Sequence, residues 1–94
     1  MLHLEQRHFK IISEILSKFP YKLYAFGSRT KGTYRKLSDL DLCYVDTIPL
    51  RDLIKLEEEL EDSDLPFKVE IIDYNHCSES FQNKIKKDMT PLSF

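Results

Sequence analysis

Two aspartates, Asp39 and Asp41, have the residue type and the spacing for metal chemistry. If residues 39–45 form a β-strand, side chains two positions apart share one face, and their Cα atoms lie roughly 6 to 7 Å apart. Two carboxylates at that spacing repel each other unless a cation lies between them. Mg²⁺ takes oxygen ligands from one or two carboxylates and keeps positions for substrate phosphates. Two such ions can clamp the attacking and leaving oxygens of a phosphoryl displacement. The pair therefore predicts a site for Mg²⁺, with two ions expected.

A third carboxylate on the same face would complete this site, and residues 67–73 offer two candidates. Glu70 alternates with Val69 and Ile71, which should face the core, so Glu70 should face outward with the aspartates. Asp73 has the parity of the two core residues and competes only if the strand ends before it. Alternation therefore favours Glu70.

The pair Gly27-Ser28 follows a short apolar run and could bind phosphate. Glycine lets the backbone approach a ligand closely, and a serine at the start of a helix offers a hydroxyl beside free N–H groups. Arg29 and Lys31 could add positive charge, or could simply be solvated. The alternative for the glycine–serine pair is an ordinary helix cap. A Walker A loop does not fit, because Gly32 is followed by threonine rather than by lysine.

The composition indicates one small globular domain. The 94 residues contain 41% hydrophobic and 32% charged residues, so we expect a single domain over residues 1–94. A formal net charge of −2 argues against direct nucleic-acid binding. No apolar run is long enough to span a bilayer and no signal peptide is visible, so a cytoplasmic location is expected. Cys43 and Cys77 have no zinc-site spacing.

The apolar periodicity predicts alternating helices and strands. The predicted strands cover residues 23–26, 39–45 and 67–73, with 92–94 as a possible edge strand. The predicted helices cover residues 4–19, a short turn at 27–33, residues 50–61, and a last helix capped by Ser78. In the third helix, the expected buried face consists of Leu50, Leu53, Ile54 and Leu60. This order indicates an α/β (α+β) fold with a helix layer on the sheet.

The motif Gly27-Ser28-x10-Asp39-x-Asp41 resembles the signature of the nucleotidyltransferase superfamily that includes DNA polymerase β. The further runs Gly-Ser-Arg-x-x-Gly and Ser-Asp-Leu-Asp-Leu, with the acidic strand that contains Glu70, are similar to the minimal nucleotidyltransferase (MNT) group. The resemblance implies a mixed three-stranded sheet with helices packed on one face. It also implies transfer of a nucleoside monophosphate, AMP from ATP in the first instance, with Mg²⁺ as cofactor.

The resemblance also implies roles for individual residues. Asp39, Asp41 and Glu70 fall on the catalytic, metal-binding carboxylates, and Gly27-Ser28 falls on the triphosphate loop. The third carboxylate is usually aspartate in this group and is glutamate here. Members of the group resemble antitoxins that are paired with a HEPN-domain toxin. A tyrosine of the toxin receives the AMP.

Three functions remain open at this point. The first is an adenylyltransferase antitoxin that acts on a HEPN partner. The second is a non-catalytic subunit that binds nucleotide or neutralises a partner by covering it, as a hetero-oligomer or a homo-oligomer. The third is transfer of a nucleotide to a small molecule such as an antibiotic, which the lack of any substrate-binding extension disfavours.

Overall fold

The computed structural model describes residues 2–92, in which helices and strands alternate along the chain. The helices are α1 (Gln6–Leu16), α2 (Ser28–Lys31), α3 (Leu50–Glu61) and α4 (Glu79–Lys86). The strands are β1 (Tyr24–Phe26), β2 (Leu40–Tyr44), β3 (Val69–Asp73) and β4 (Thr90–Pro91). None of the helices in this part of the chain has the length and apolar character needed to cross a membrane.

The strands form one mixed sheet in the order β3-β2-β1-β4. β1 runs antiparallel to β2 and β4, whereas β2 and β3 are parallel and are joined through α3. The short fourth strand starts earlier than predicted, at Thr90, and contains Pro91; proline is tolerated there because an edge strand does not need every N–H. Of the predicted edge strand 92–94, the Leu92 N–H donates to the Leu23 carbonyl (3.0 Å), and residues 93–94 lie outside the described residues.

The larger core lies between one face of the sheet and helices α1 and α3. Leu42 of β2 and Leu56 of α3 are both fully buried in it. The predicted buried face of α3 is partly wrong, because Leu50 and Ile54 are 70% and 46% exposed. Leu53, Leu56 and Leu60 follow each other at spacings of three and four, and Ile54 is turned about 100° away from Leu53. The helix therefore contacts the sheet through a narrower stripe than the sequence suggests.

The last helix corrects the expectation that all helices pack on one face. Ile85 of α4 is buried against Phe26 and Cys43 on the opposite face of the sheet, and Phe81 meets the Phe26 ring edge to face at 6.1 Å. The predicted cap of this helix is confirmed, since the Ser78 hydroxyl accepts a hydrogen bond from the Phe81 N–H (3.2 Å). This second, smaller core leaves the rest of the face open, and that open area contains the carboxylates.

Candidate active site

The three predicted carboxylates lie side by side at one end of β2 and β3. The parallel register places Asp41 opposite Glu70, and Asp39 immediately precedes β2. Asp41 is partly buried, whereas Asp39 and Glu70 are exposed. The long helix α3 and the loops around it separate residues 41 and 70 in sequence, so only the parallel pairing brings them together.

Asp41 is the electrostatic centre of this group. Burial raises the pKa of its carboxyl, and the neighbouring carboxylates of Glu70 and Asp39 raise it further, in that order. Each of these causes penalises the charged form. Because burial and two neighbouring carboxylates all disfavour the negative charge of Asp41, a cation bound beside it would stabilise that charge.

Asp73, the alternative to Glu70 as third carboxylate, binds other groups at the far end of the strand. It pairs with Tyr44 at the other end of the strand. Its carboxylate accepts the Asn75 N–H (3.0 Å) and lies 2.9 Å from Nδ1 of His76. The structure therefore brings Glu70, and not Asp73, to the aspartate pair.

Gly27 lies against the Asp41 carboxylate. The register of β1 on β2 pairs Phe26 with Asp41, and the chain then turns at Gly27 with φ of 86° and ψ of −158°. A Cβ atom at Gly27 would lie 2.5 Å from Oδ2 of Asp41. Both the backbone conformation, which is open essentially only to glycine, and the close approach thus require this residue.

Ser28 offers a hydroxyl beside that glycine. It is the first residue of α2, and in residues 2–92 its hydroxyl has no hydrogen-bond partner. Gly27 occupies the N-cap position of α2, without a side-chain capping bond. Its carbonyl accepts the Thr30 N–H and the Thr30 hydroxyl (3.0 and 2.7 Å). Because α2 is a single turn, phosphate binding here would depend on the hydroxyl and the glycine backbone rather than on a helix dipole.

Arg29 is not available for phosphate, which corrects its place among the predicted nucleotide-binding residues. Its side chain is buried, with 3% exposure, and burial lowers its pKa. The guanidinium donates to three backbone carbonyls, those of His3, Lys36 and Ser38, at 3.0 to 3.1 Å. It also lies 4.2 Å from the centre of the Phe67 ring.

The three bonds make Arg29 a positioning residue. One of them holds the carbonyl of Ser38, the residue before Asp39. The Ser38 hydroxyl in turn accepts the Arg35 N–H (2.7 Å). The loop between α2 and β2 is therefore fixed next to the first aspartate. Nothing in the local sequence indicates this role, because a buried and an exposed arginine look alike in a basic loop.

Lys31 lies at the edge of a cleft of about 330 Å³ beside Gly27 and Ser28. Its Nζ atom forms an ion pair with the Asp88 carboxylate at 3.0 Å. The opposite wall of the cleft belongs to α4 and includes Lys84. Lys84 was not among the predicted site residues, because it is one of several lysines near the end of the helix and only the tertiary packing places it in the same cleft as Gly27 and Ser28.

The donor set fits Mg²⁺ by chemistry. Carboxylate oxygens are the ligands that this ion prefers, and Asp39, Asp41 and Glu70 provide three carboxylates at adjoining backbone positions. In residues 2–92, no three His, Cys, Asp or Glu side chains already stand in a metal-binding cluster. The Glu70 side chain instead lies 4.0 Å from the Lys68 ammonium, so the carboxylate side chains must rotate before they can bind one ion in common.

Comparison with protein families supports the same chemistry. Residues 10–92 match the model of the family described as polymerase beta, nucleotidyltransferase. A curated relative from Haemophilus influenzae, called probable protein adenylyltransferase MntA, is 38% identical over 90 residues. The match covers 92% of this chain and 79% of the relative.

Two solved structures share the fold. One is described as a toxin–antitoxin with AMP-PNP: it has a TM-score of 0.67 and 24% identity, over 90% of this chain and 72% of the other. The second is a mutant of the toxin–antitoxin MntA–HpeT, with a TM-score of 0.62 and 22% identity over 97% and 73% of the two chains. At these identities the likeness establishes the fold.

Proposed function

The chain belongs to the polymerase β nucleotidyltransferase family, and from that premise we propose that it is a protein adenylyltransferase. It transfers AMP from ATP to a hydroxyl on a partner protein, as the antitoxin of a toxin–antitoxin pair. We take the acceptor to be a tyrosine of a HEPN-domain toxin, and the site of action to be the cytoplasm. The curated relative named as a protein adenylyltransferase supports this choice of reaction.

One observation carries the proposal. Gly27, which directly follows β1, lies against the Asp41 carboxylate, and Glu70 pairs with Asp41 across the sheet. A phosphate-binding turn and a carboxylate cluster thereby share one open face. Phosphoryl transfer needs little more from a protein than positioning and charge stabilisation.

Each residue of the site has its own role in the proposed transfer. The Gly27 backbone and the Ser28 hydroxyl hold the triphosphate. Mg²⁺, bound by Asp39, Asp41 and Glu70 as one or two ions, would supply the positive charge that the phosphates need. The acceptor oxygen bonds to the α-phosphorus, the bond from that phosphorus to the β-phosphate oxygen breaks, and pyrophosphate leaves with the electron pair. Glu70, exposed at the rim, can take the proton of the acceptor hydroxyl.

The acceptor reaches the site from outside. Asp39 and Glu70 are exposed, and the cleft beside Gly27 is open. A side chain presented by a second protein can therefore approach the two exposed carboxylates from solvent.

The test is label transfer. The protein is incubated with Mg²⁺, ATP labelled at the α-phosphate and the protein encoded beside it, and the label on that partner is measured. Asp39→Asn combined with Asp41→Asn should abolish labelling. Asp73→Asn, which removes a carboxylate at the far end of β3, should retain most of it.

Two results would count against the proposal. Tight binding of the two proteins without any label would replace catalysis by neutralisation through occlusion, the non-catalytic alternative. Labelling that survives loss of both aspartates would show that the reaction takes place elsewhere on the chain.

A further inference from the structure

Two lysines line the cleft beside the glycine–serine pair, and only one of them is paired with a carboxylate of the described residues. It is bounded by Gly27 and Ser28 on one side and by α4 on the other, and Phe26 and Phe81 form part of its lining. The two aromatic rings are in contact, and both belong to the smaller core on this face of the sheet. The polar side chains of the cleft therefore lie beside a packed apolar wall.

Lys31 is already neutralised in this cleft, whereas Lys84 is not. The Lys31 ammonium lies 3.0 Å from the Asp88 carboxylate, and the Asp88 side chain is only 20% exposed. Within residues 2–92, the side chain of Lys84 has no ion pair, hydrogen bond or ring contact. Lys84 is thus the cation of this cleft whose charge is not balanced by a protein group.

We propose that Lys84 is a nucleotide-binding residue, which contacts the phosphates beyond the one attacked. This proposal rests on the proposed function, since it assumes that the nucleotide lies across Gly27 with its reacting phosphate at Asp41. The contact between Gly27 and the Asp41 carboxylate makes the carboxylates and the cleft two sides of the same turn. A triphosphate chain that starts at the carboxylates and crosses this turn enters the cleft and meets Lys84.

The ligand class follows from the chemistry of the cleft. A lysine ammonium is a compact charge with three donors and suits phosphate oxygens. The unpaired Ser28 hydroxyl adds another donor at the entrance. Asp88 works in the opposite direction, because it places a negative charge in the same cleft and holds Lys31.

A matched control is available on the same helix. Lys84 and Lys86 both belong to the last turn of α4 and are both exposed, so each has the same favourable interaction with the helix C-terminus. Lys86 is outside the cleft lining. Replacing either lysine by methionine removes one charge from that turn, but only Lys84→Met removes it from the cleft.

The experiment measures binding of AMP-PNP, tripolyphosphate and AMP to the full chain by calorimetry in the presence of Mg²⁺. Lys84→Met should weaken AMP-PNP and tripolyphosphate about tenfold, equivalent to about 1.4 kcal/mol, and leave AMP unchanged. Lys84→Arg should restore most of the affinity. Lys86→Met should change none of the three, and Asp88→Asn should tighten tripolyphosphate because it removes the competing charge.

The outcomes separate this proposal from the one on which it rests. Equal effects of Lys84→Met and Lys86→Met, or an equal loss for AMP and AMP-PNP, would overturn the role of Lys84. Absence of any binding to the wild type would overturn it as well. If the wild type shows the Lys84-dependent affinity but labels no partner, the transferase proposal fails and the role of Lys84 stands.

Discussion

Replacing Gly27 by alanine should lower both the stability and the activity of this protein, for two different reasons. The residue has φ of 86° and ψ of −158°, a conformation that costs a side-chain-bearing residue about 1–3 kcal/mol. For a domain of this size, each kcal/mol lowers the thermal midpoint by about 4–8 °C. The new Cβ would also stand 2.5 Å from Oδ2 of Asp41.

This second contact determines the effect on catalysis. A carboxylate group at the end of a side chain can turn away at little cost in folding free energy. In doing so, Asp41 leaves the position from which it serves the metal site. Misplacement of a catalytic group by about 1 Å can cost about a hundredfold in rate, so Gly27→Ala should lose about that factor in label transfer per folded molecule.

Gly32→Ala is the matched control. Gly32 also has positive φ, 76°, and alanine there costs about 1–2 kcal/mol. Among residues 2–92, its Cβ would contact only the His3 ring, at 3.5 Å from Nε2. Both variants should therefore melt at lower temperature, and only Gly27→Ala should lose transfer. If the two variants, assayed well below their melting points, retain the same activity, the assignment of Asp41 to the reacting site is refuted.

Two further predictions concern stability. Asp41→Asn should stabilise the metal-free protein at neutral pH by about 1 kcal/mol, although it abolishes transfer. The reason is that the pKa of the Asp41 carboxyl is raised above its ordinary value of 3.8 in the folded protein. The contribution of Asp41 to stability is therefore fully present below the unfolded-state pKa and is lost as pH rises through the folded-state pKa. Thermal melts at pH 7 and at pH 3 check this, since the higher melting temperature of the asparagine variant should be seen at pH 7 and vanish at pH 3. An asparagine variant that melts below the wild type at pH 7 would contradict the prediction. Leu56→Ala should cost about 2–5 kcal/mol and Leu50→Ala no more than about 0.5 kcal/mol in urea unfolding; equal losses would show that α3 packs through the face first predicted from its sequence.

Local patterns predicted the parts of this fold that depend on neighbouring residues. The strand that contains Asp41 and the cap at Ser78 follow from alternation and from residue type. The placement of Glu70 follows too, because alternation within one strand determines which side chains share a face, and the structure then pairs that strand with β2.

The missed features depend on tertiary packing. Leu50 and Ile54 are as apolar as the leucines that are buried, and only the position of α3 on the sheet decides which of them are covered. Arg29 is one of several basic residues in its loop, and its burial depends on carbonyls from the N-terminal segment and the following loop. Lys84 acquires its place in the cleft only when α4 crosses to the second face.

The bonds of Arg29 have a practical consequence for protein production. His3 is joined to Arg29 twice, by its N–H to the Arg29 carbonyl (2.6 Å) and by its carbonyl to the guanidinium (3.1 Å). A purification tag joined to the chain close to His3 would therefore lie next to the loop that holds Asp39. Purification tags on this protein should therefore be cleaved before kinetic work, and a tagged sample that turns over slowly should not be taken for an inactive enzyme.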